Sequence, residues 1–154
     1  MSKKLKPKLD SSFSSAEASP GFLLWKAANL LQKSHVTVLK PLNLTPAQFS
    51  IMTCLVYLSG KGNVTSANIS KHAGLDKMMI SDLVKTLKKK NLITTSSNPA
   101  DGRSFLIEPT KLGVKTTNQA VRAIEEVDEV FFQSERDKEN LLNTLLNLVI
   151  ANNE

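Results

Sequence analysis

Cysteine is nearly absent from this chain: Cys54 stands alone among 154 residues. A single thiol excludes an intramolecular disulfide framework and is compatible with a reducing compartment. Histidine is almost as scarce. His35 and His72 lie far from each other and from any Cys, Asp or Glu cluster at ligand spacing, so neither a metal nor another cofactor is expected. The same scarcity leaves no Ser/His/Asp or Cys/His constellation to assemble, so the chain reads as something other than an enzyme. No apolar run approaches the roughly 18 to 20 residues of a membrane span, and the opening MSKKLKPKLDSSFSS has lysines without the apolar stretch of a signal peptide behind them. No membrane partner is expected, and the expected compartment is the cytoplasm. Gly60-Lys61-Gly62 is too short and too poorly framed to cradle a phosphate, and reads as a connector.

What the chain does have is the balance of a soluble globular protein, 41% hydrophobic and 22% charged, at a length that suits one folding unit. Its net charge of +6 is unevenly spread. Residues 60–115 hold ten Lys/Arg against four acids, whereas residues 122–154 hold three basic residues against eight acidic ones. A basic middle and an acidic tail suggest that the middle meets a polyanion and the tail does something else. The plain alternative is a solvated lysine surface.

Residues 1–19 combine four lysines and six serines with almost no apolar periodicity, and are expected to form a flexible basic arm. Ser19-Pro20 then resembles a helix cap followed by proline at the first helical position, and Leu24, Ala27, Leu31, Ser34 and Val38 recur at helical spacing until Pro41. Thr45-Pro46 repeats the start signal, with Phe49, Met52 and Leu55 or Val56 as the inward stripe of a second helix.

From Val64 onward the pattern becomes more specific. Thr65 or Ser66 can cap a short helix whose inward residue is Ile69, Gly74 supplies the positive φ of a tight turn, and Asp76 caps the next helix. In DKMMISDLVKTLKKKNL, Ile80, Leu83, Val84 and Leu87 fall on one face and Lys77, Met78, Ser81, Asp82 and Lys85 on another. Two helices joined by a short glycine turn form a helix-turn-helix, whose second helix enters the major groove of duplex DNA. Leu92 to Thr95 and Phe105 to Ile107 read as the strands of a hairpin with a long turn-forming loop between them, a wing behind the helix-turn-helix. Helical spacing returns with Val114, Val121, Ile124, Val127 and Phe131. A last segment carries seven apolar residues between Leu141 and Ile150, more than a lone amphipathic stripe needs, and the excess suggests burial against a second chain.

The order of elements and the residues themselves resemble the MarR family of bacterial winged-helix transcription regulators over about residues 20 to 150. The resemblance is anchored in the wing, where Asp101, Arg103, Ile107, Thr110 and Gly113 stand in the family's register. LTPAQF at 44–49 and the stretch from Gly74 to Ile93 are also similar to the family, while Pro109 replaces the usual leucine before the threonine. The resemblance implies a mainly α fold, a winged helix-turn-helix with a short β-hairpin wing. The helix-turn-helix spans about 65–90 and the wing about 92–107, with dimerisation helices at about 20–40 and 110–150. It also implies a homodimeric regulator of a pseudo-palindromic operator in double-stranded DNA, most simply a repressor, with a small aromatic or anionic ligand releasing it.

The expected DNA-binding residues are Lys61, Ser66, Lys77, Met78, Ser81, Lys85, Asn98 and Arg103. Lys77 and Lys85 suit phosphates, Ser81 a phosphate or base edge, and Met78 or Met79 a thymine methyl, with one of the two methionines expected to pack against the neighbouring helix. Arg103 on the hairpin tip is a planar donor for phosphate or a narrow minor groove, and Asp101 can support it by holding the loop and guanidinium. The alternative for Asp101 is a salt bridge within the hairpin. Asp82 is the odd member, since a carboxylate facing DNA repels phosphate unless it accepts from a cytosine amino group. Lys88, Lys89 and Lys90 either complement the helix dipole or touch DNA nonspecifically. Some relatives of this type sense oxidants through cysteine, but Cys54 has apolar neighbours in Met52 and Leu55 and reads as a packing residue rather than a sensor. A different class of function, a winged helix used as a protein-interaction module without DNA specificity, would show no salt-dependent DNA affinity.

Overall fold

The computed structural model describes residues 9–152. The four lysines of the expected arm, Lys3, Lys4, Lys6 and Lys8, lie outside the described residues. The elements run α1 (Pro20–Leu39), α2 (Pro46–Ser59), α3 (Ser66–Ala73), α4 (Lys77–Lys89), β1 (Ile93–Ser97), β2 (Phe105–Pro109), α5 (Lys111–Phe131) and α6 (Lys138–Ala151). The fold is mainly helical, with one two-stranded antiparallel hairpin among the described residues.

Each helix begins where a side chain can take up an orphan amide. Ser19 accepts from the Phe22 amide, Asp76 from Met79, Thr110 from Gly113 and Asp137 from Asn140. Thr45 with Gln48 and Thr65 with Asn68 form reciprocal capping boxes at the starts of α2 and α3. Thr65, rather than Ser66, is therefore the cap of α3. Gly74 adopts φ 65° at the end of α3, which lets the chain turn into α4 without a Cβ penalty.

The core lies between α2, the inner faces of α3 and α4, the base of the hairpin and α5. Leu39, Ile51, Leu55, Ile69, Ile80, Leu87 and Ala120 are fully buried there. In the hairpin Ile93 faces Pro109 and Ser97 faces Phe105, so Ile93 and Ile107 point inward. Val64 and Thr65 lie alongside β2, where the Ile107 amide donates to the Val64 carbonyl at 2.8 Å. Pro109 ends β2, where its missing N–H is harmless, and Thr110 caps α5 immediately after it.

The wing base is fastened to α5 by close backbone approach. The Thr110 amide donates to the Leu92 carbonyl at 3.0 Å, and the Thr110 hydroxyl to the Asn91 carbonyl at 2.8 Å. Gly113 lies so close that a Cβ there would sit 2.0 Å from the Leu92 oxygen. The buried stripe of α5 is Gly113, Thr116, Thr117, Ala120 and Ile124, and the Thr117 hydroxyl is satisfied by the Gly113 carbonyl at 2.7 Å.

The N-terminal part of the expected α1 stripe and most of the α6 stripe remain open in the single chain, while Leu31, Ser34 and Val38 of α1 are half-buried. Leu24 and Ala27 of α1 are exposed, as are Phe22, Leu23 and Trp25 around them. Among the described residues α6 buries no side chain at all, and Leu142, Leu146, Val149 and Ile150 are each more than half exposed.

Candidate nucleic-acid interface

The amphipathic pattern of α4 positions the surface that matters. Ile80 and Leu87 are buried beneath it and Leu83 and Val84 half-buried, which turns Lys77, Met78, Ser81, Asp82 and Lys85 outward. Met78 is 80% exposed, an apolar side chain held in water on an otherwise polar face. Met79 is also exposed, so neither methionine is a core residue. Asp82 and Lys85 meet at 3.2 Å, with side chains 78% and 69% exposed. Their charges therefore partly offset each other on this face.

The hairpin tip is built by its own polar residues. Asn98 Oδ1 accepts from the Ala100 amide at 3.0 Å, its Nδ2 donates to Ser104 Oγ at 2.8 Å, and Ser104 Oγ donates in turn to the Asp101 carbonyl at 3.2 Å. These bonds engage both ends of the Asn98 amide inside the loop. Asp101 Oδ1 accepts from the Arg103 backbone amide at 3.0 Å. Among the described residues its carboxylate forms no ion pair with the guanidinium, contrary to one expectation. Asp101 fixes the backbone of Arg103, whose exposed side chain keeps its guanidinium donors free of partners among the described residues.

The remaining basic residues divide. Lys61 follows α2, and its ammonium donates to the Tyr57 hydroxyl at 2.6 Å and lies 4.0 Å from the ring centroid. Tyr57 in turn stacks on His72 at 5.5 Å. Ser66 is half-buried in the first turn of α3. Lys88 donates to the Thr95 hydroxyl at 2.7 Å, and Lys90 to the Asn43 carbonyl at 2.6 Å and Gln48 Oε1 at 2.9 Å. Lys90 thereby satisfies a buried amide and ties α4 to the turn before α2. Two of the three lysines at the end of α4 are thus structural tethers.

Sequence patterns alone missed three contributors. Ser104 completes the tip, Tyr57 holds Lys61, and Asn91 turns the chain out of α4 with φ 58°. Asn91 carried a readable signal, since asparagine after a lysine-rich helix end is a common left-handed cap. Ser104 and Tyr57 carried none.

Cys54 is half-buried, and burial pushes its thiol above the ordinary value by penalising the thiolate. Its reaction with a maleimide near neutral pH is therefore expected to be slower than that of a free cysteine, accelerating only as pH rises past the ordinary thiol range. A rate matching free cysteine at neutral pH would contradict this. Among the described residues no group of three His, Cys, Asp or Glu side chains gathers as a metal would require, and no helix is long and apolar enough to cross a membrane.

The sequence model of the MarR family matches residues 44–105, from the turn before α2 to the start of β2. The HTH-type transcriptional regulator YdcH of Bacillus subtilis (strain 168) is 36% identical over 140 residues, covering 90% of this chain and 95% of the relative. CouR from Rhodococcus jostii, solved bound to p-coumaroyl-CoA, shares the fold with a TM-score of 0.77 at 21% identity, over 90% of this chain and 96% of CouR. A mutant of E. coli MarR complexed with operator DNA has a TM-score of 0.74 at 21% identity, over 84% of this chain and 91% of that one. The structural likenesses carry the fold, and the extended sequence identity with YdcH carries the kinship. The chain belongs to the MarR family of DNA-binding, winged helix-turn-helix regulators of transcription.

Proposed function

We propose that the chain is a cytoplasmic, sequence-specific repressor without catalytic activity, gripping a pseudo-palindromic operator as a homodimer. The observation that carries this reading is the outward face of α4, joined by an arginine whose backbone is pinned while its guanidinium is left for a partner. Met78 and Ser81 would meet base edges and Lys77 a phosphate, while Lys85 lies beside Asp82 on the same face. Arg103 reaches the flanking backbone or minor groove. Lys61 and Ser66 bring two more donors to the edge of the helix-turn-helix, and Asn98 gives the tip its shape. Two-fold symmetry would set the recognition helices about 34 Å apart, one turn of B-DNA.

Release by a small aromatic or anionic ligand belongs to the same proposal. CouR was solved with p-coumaroyl-CoA, an aromatic acyl group on a large anionic carrier, and an open cleft of about 350 Å³ between α1 and α5, lined by Val38, Ala123, Val127 and Phe131 among others, could admit an aromatic ring. To release DNA the ligand must bind one spacing of the recognition helices better than the other.

The test is affinity for duplex DNA measured against salt. Each phosphate neutralised contributes a slope of about 0.9 in log affinity against log salt, so a steep fall is expected. Arg103→Ala should weaken binding about tenfold on operator and unrelated duplexes alike and reduce that slope by about one. Salt-independent affinity would favour a protein-interaction module, and unchanged binding by Arg103→Ala would remove the wing tip from the interface.

A further inference from the structure

The outward face of α4 contains a feature that nonspecific DNA binding does not need. Asp82 is a carboxylate in the middle of a surface meant for a polyanion, between Met78 and Lys85 on the same helical face. Facing phosphate, it can only repel. Facing base edges, a carboxylate has one good use, accepting from the amino group of cytosine. The exposed lysine beside it prefers the O6 and N7 acceptors of guanine.

These two preferences belong to a single base pair. Cytosine N4 and guanine O6 are hydrogen-bonded to each other and so stand about 2.9 to 3.0 Å apart in the major groove. Asp82 Oδ1 and Lys85 Nζ stand 3.2 Å apart. Acceptor and donor on the helix therefore match donor and acceptor on the base pair in both sign and spacing. We propose that the Asp82–Lys85 pair reads one C·G base pair in each operator half-site, Asp82 accepting from cytosine N4 and Lys85 donating to guanine O6 and N7. The inference rests on the operator-binding function proposed above and adds a specificity determinant to it.

Adenine N6 and thymine O4 are also adjacent and of the right signs, but that pair serves an ammonium less well. Thymine offers it one acceptor flanked by a methyl group, whereas guanine offers two acceptors side by side. The mutual contact of Asp82 and Lys85 also matters in the absence of DNA. Each carries its counter-charge with it, so bringing the carboxylate near phosphates costs less than it would for a solitary aspartate. An exposed pair of this kind contributes little to folding, which leaves both residues free to serve recognition.

The experiment is selection of bound fragments from random duplex DNA at physiological salt, using the full chain and its Asp82→Ala and Lys85→Ala variants. Circular dichroism and melting are recorded alongside, because both side chains are exposed and both variants should fold. The wild type should select a C·G pair at a symmetric position in each half-site. Both variants should lose preference at that same position, about tenfold in relative affinity, while other positions keep theirs. Replacing the guanine at that position by 7-deazaguanine should weaken the wild type and leave Lys85→Ala indifferent. The assignment is overturned if the variants alter different positions, if Asp82→Ala only raises affinity for every sequence equally, or if the selected position is an A·T pair. Failure of the wild type to enrich any duplex would overturn the operator-binding function itself, which separates the two outcomes.

Discussion

Gly113→Ala is expected to lower stability by about 3 kcal/mol, the upper end of ordinary overpacking costs. The new Cβ would meet the Leu92 carbonyl oxygen at 2.0 Å, its carbon at 2.9 Å and the Met52 methyl at 3.1 Å. A flexible side chain could move aside for a methyl group, but the Leu92 backbone is doubly constrained. Its amide donates to the Leu87 carbonyl just before β1 begins, and its carbonyl already accepts from the Thr110 amide. Relief therefore requires α5 to lift from the wing base, and that breaks the hydrogen bonds of Thr110 to Asn91 and Leu92. Melting at fixed protein concentration should fall by roughly 10 °C for a chain of this size. Gly102→Ala is the control, because nothing lies within 4 Å of its Cβ position. That variant should melt within about 0.5 kcal/mol of the parent. Equal melting of the two variants would mean that the Gly113 contact is not a constraint on the fold.

The importance of Gly113 was only half visible in the sequence. Its place in the family's wing register was readable, but the spacing of apolar residues ran through Val114, Val121, Ile124, Val127 and Phe131. Of these Ile124 is buried and the other four are half-buried, while the rest of the buried stripe is Gly113, Thr116, Thr117 and Ala120. Hydropathy does not register a face made of small residues. Such a face arises where a helix must approach a backbone closely, and threonines can line it when their hydroxyls bond within their own helix, as Thr117 does.

Where periodicity is strong and caps are chemically specific, the chain was legible. The burial of Ile80 and Leu87 under an exposed Lys77, Met78, Ser81, Asp82 and Lys85 follows directly from residue spacing, and Asp76 caps α4 as its place requires. Long-range partners of long side chains were not legible. Lys90 reaches back to the Asn43 carbonyl and Gln48, a contact that no local window contains. The Asp101 and Arg103 pairing was legible in position and wrong in one atom, because a carboxylate can reach the amide two residues on without using the longer and more flexible guanidinium.

Glutamate at both Leu142 and Leu146 should leave the protomer folded and separate the proposed dimer. These side chains lie one turn apart on α6, 65% and 51% exposed, within a helix that contributes no buried residue to its own chain. An apolar surface of that extent is stable in water only when something covers it. A second apolar surface stands on α1, where Phe22, Leu23, Leu24 and Trp25 are likewise exposed. α1 has lysines and no acid, whereas the α5–α6 region has Glu125, Glu126, Glu129, Glu135 and Glu139. Opposite charge and shared apolarity favour α1 of one copy against the C-terminal helices of the other, and a two-fold axis would use each contact twice. Four leucines leaving an interface at about 1.5 kcal/mol each amount to roughly 6 kcal/mol, before any cost of burying the introduced carboxylates. That is more than a ten-thousandfold loss in dimer affinity, enough to give a monomer in sedimentation at micromolar protein. Operator affinity should fall by 10²-fold or more, because each winged helix would then bind its half-site alone. The helical circular dichroism of the winged-helix core should persist. A variant that still sediments as a dimer would place the interface elsewhere. A dimeric variant with lost DNA binding would assign α6 a direct part in holding the recognition helices at their spacing.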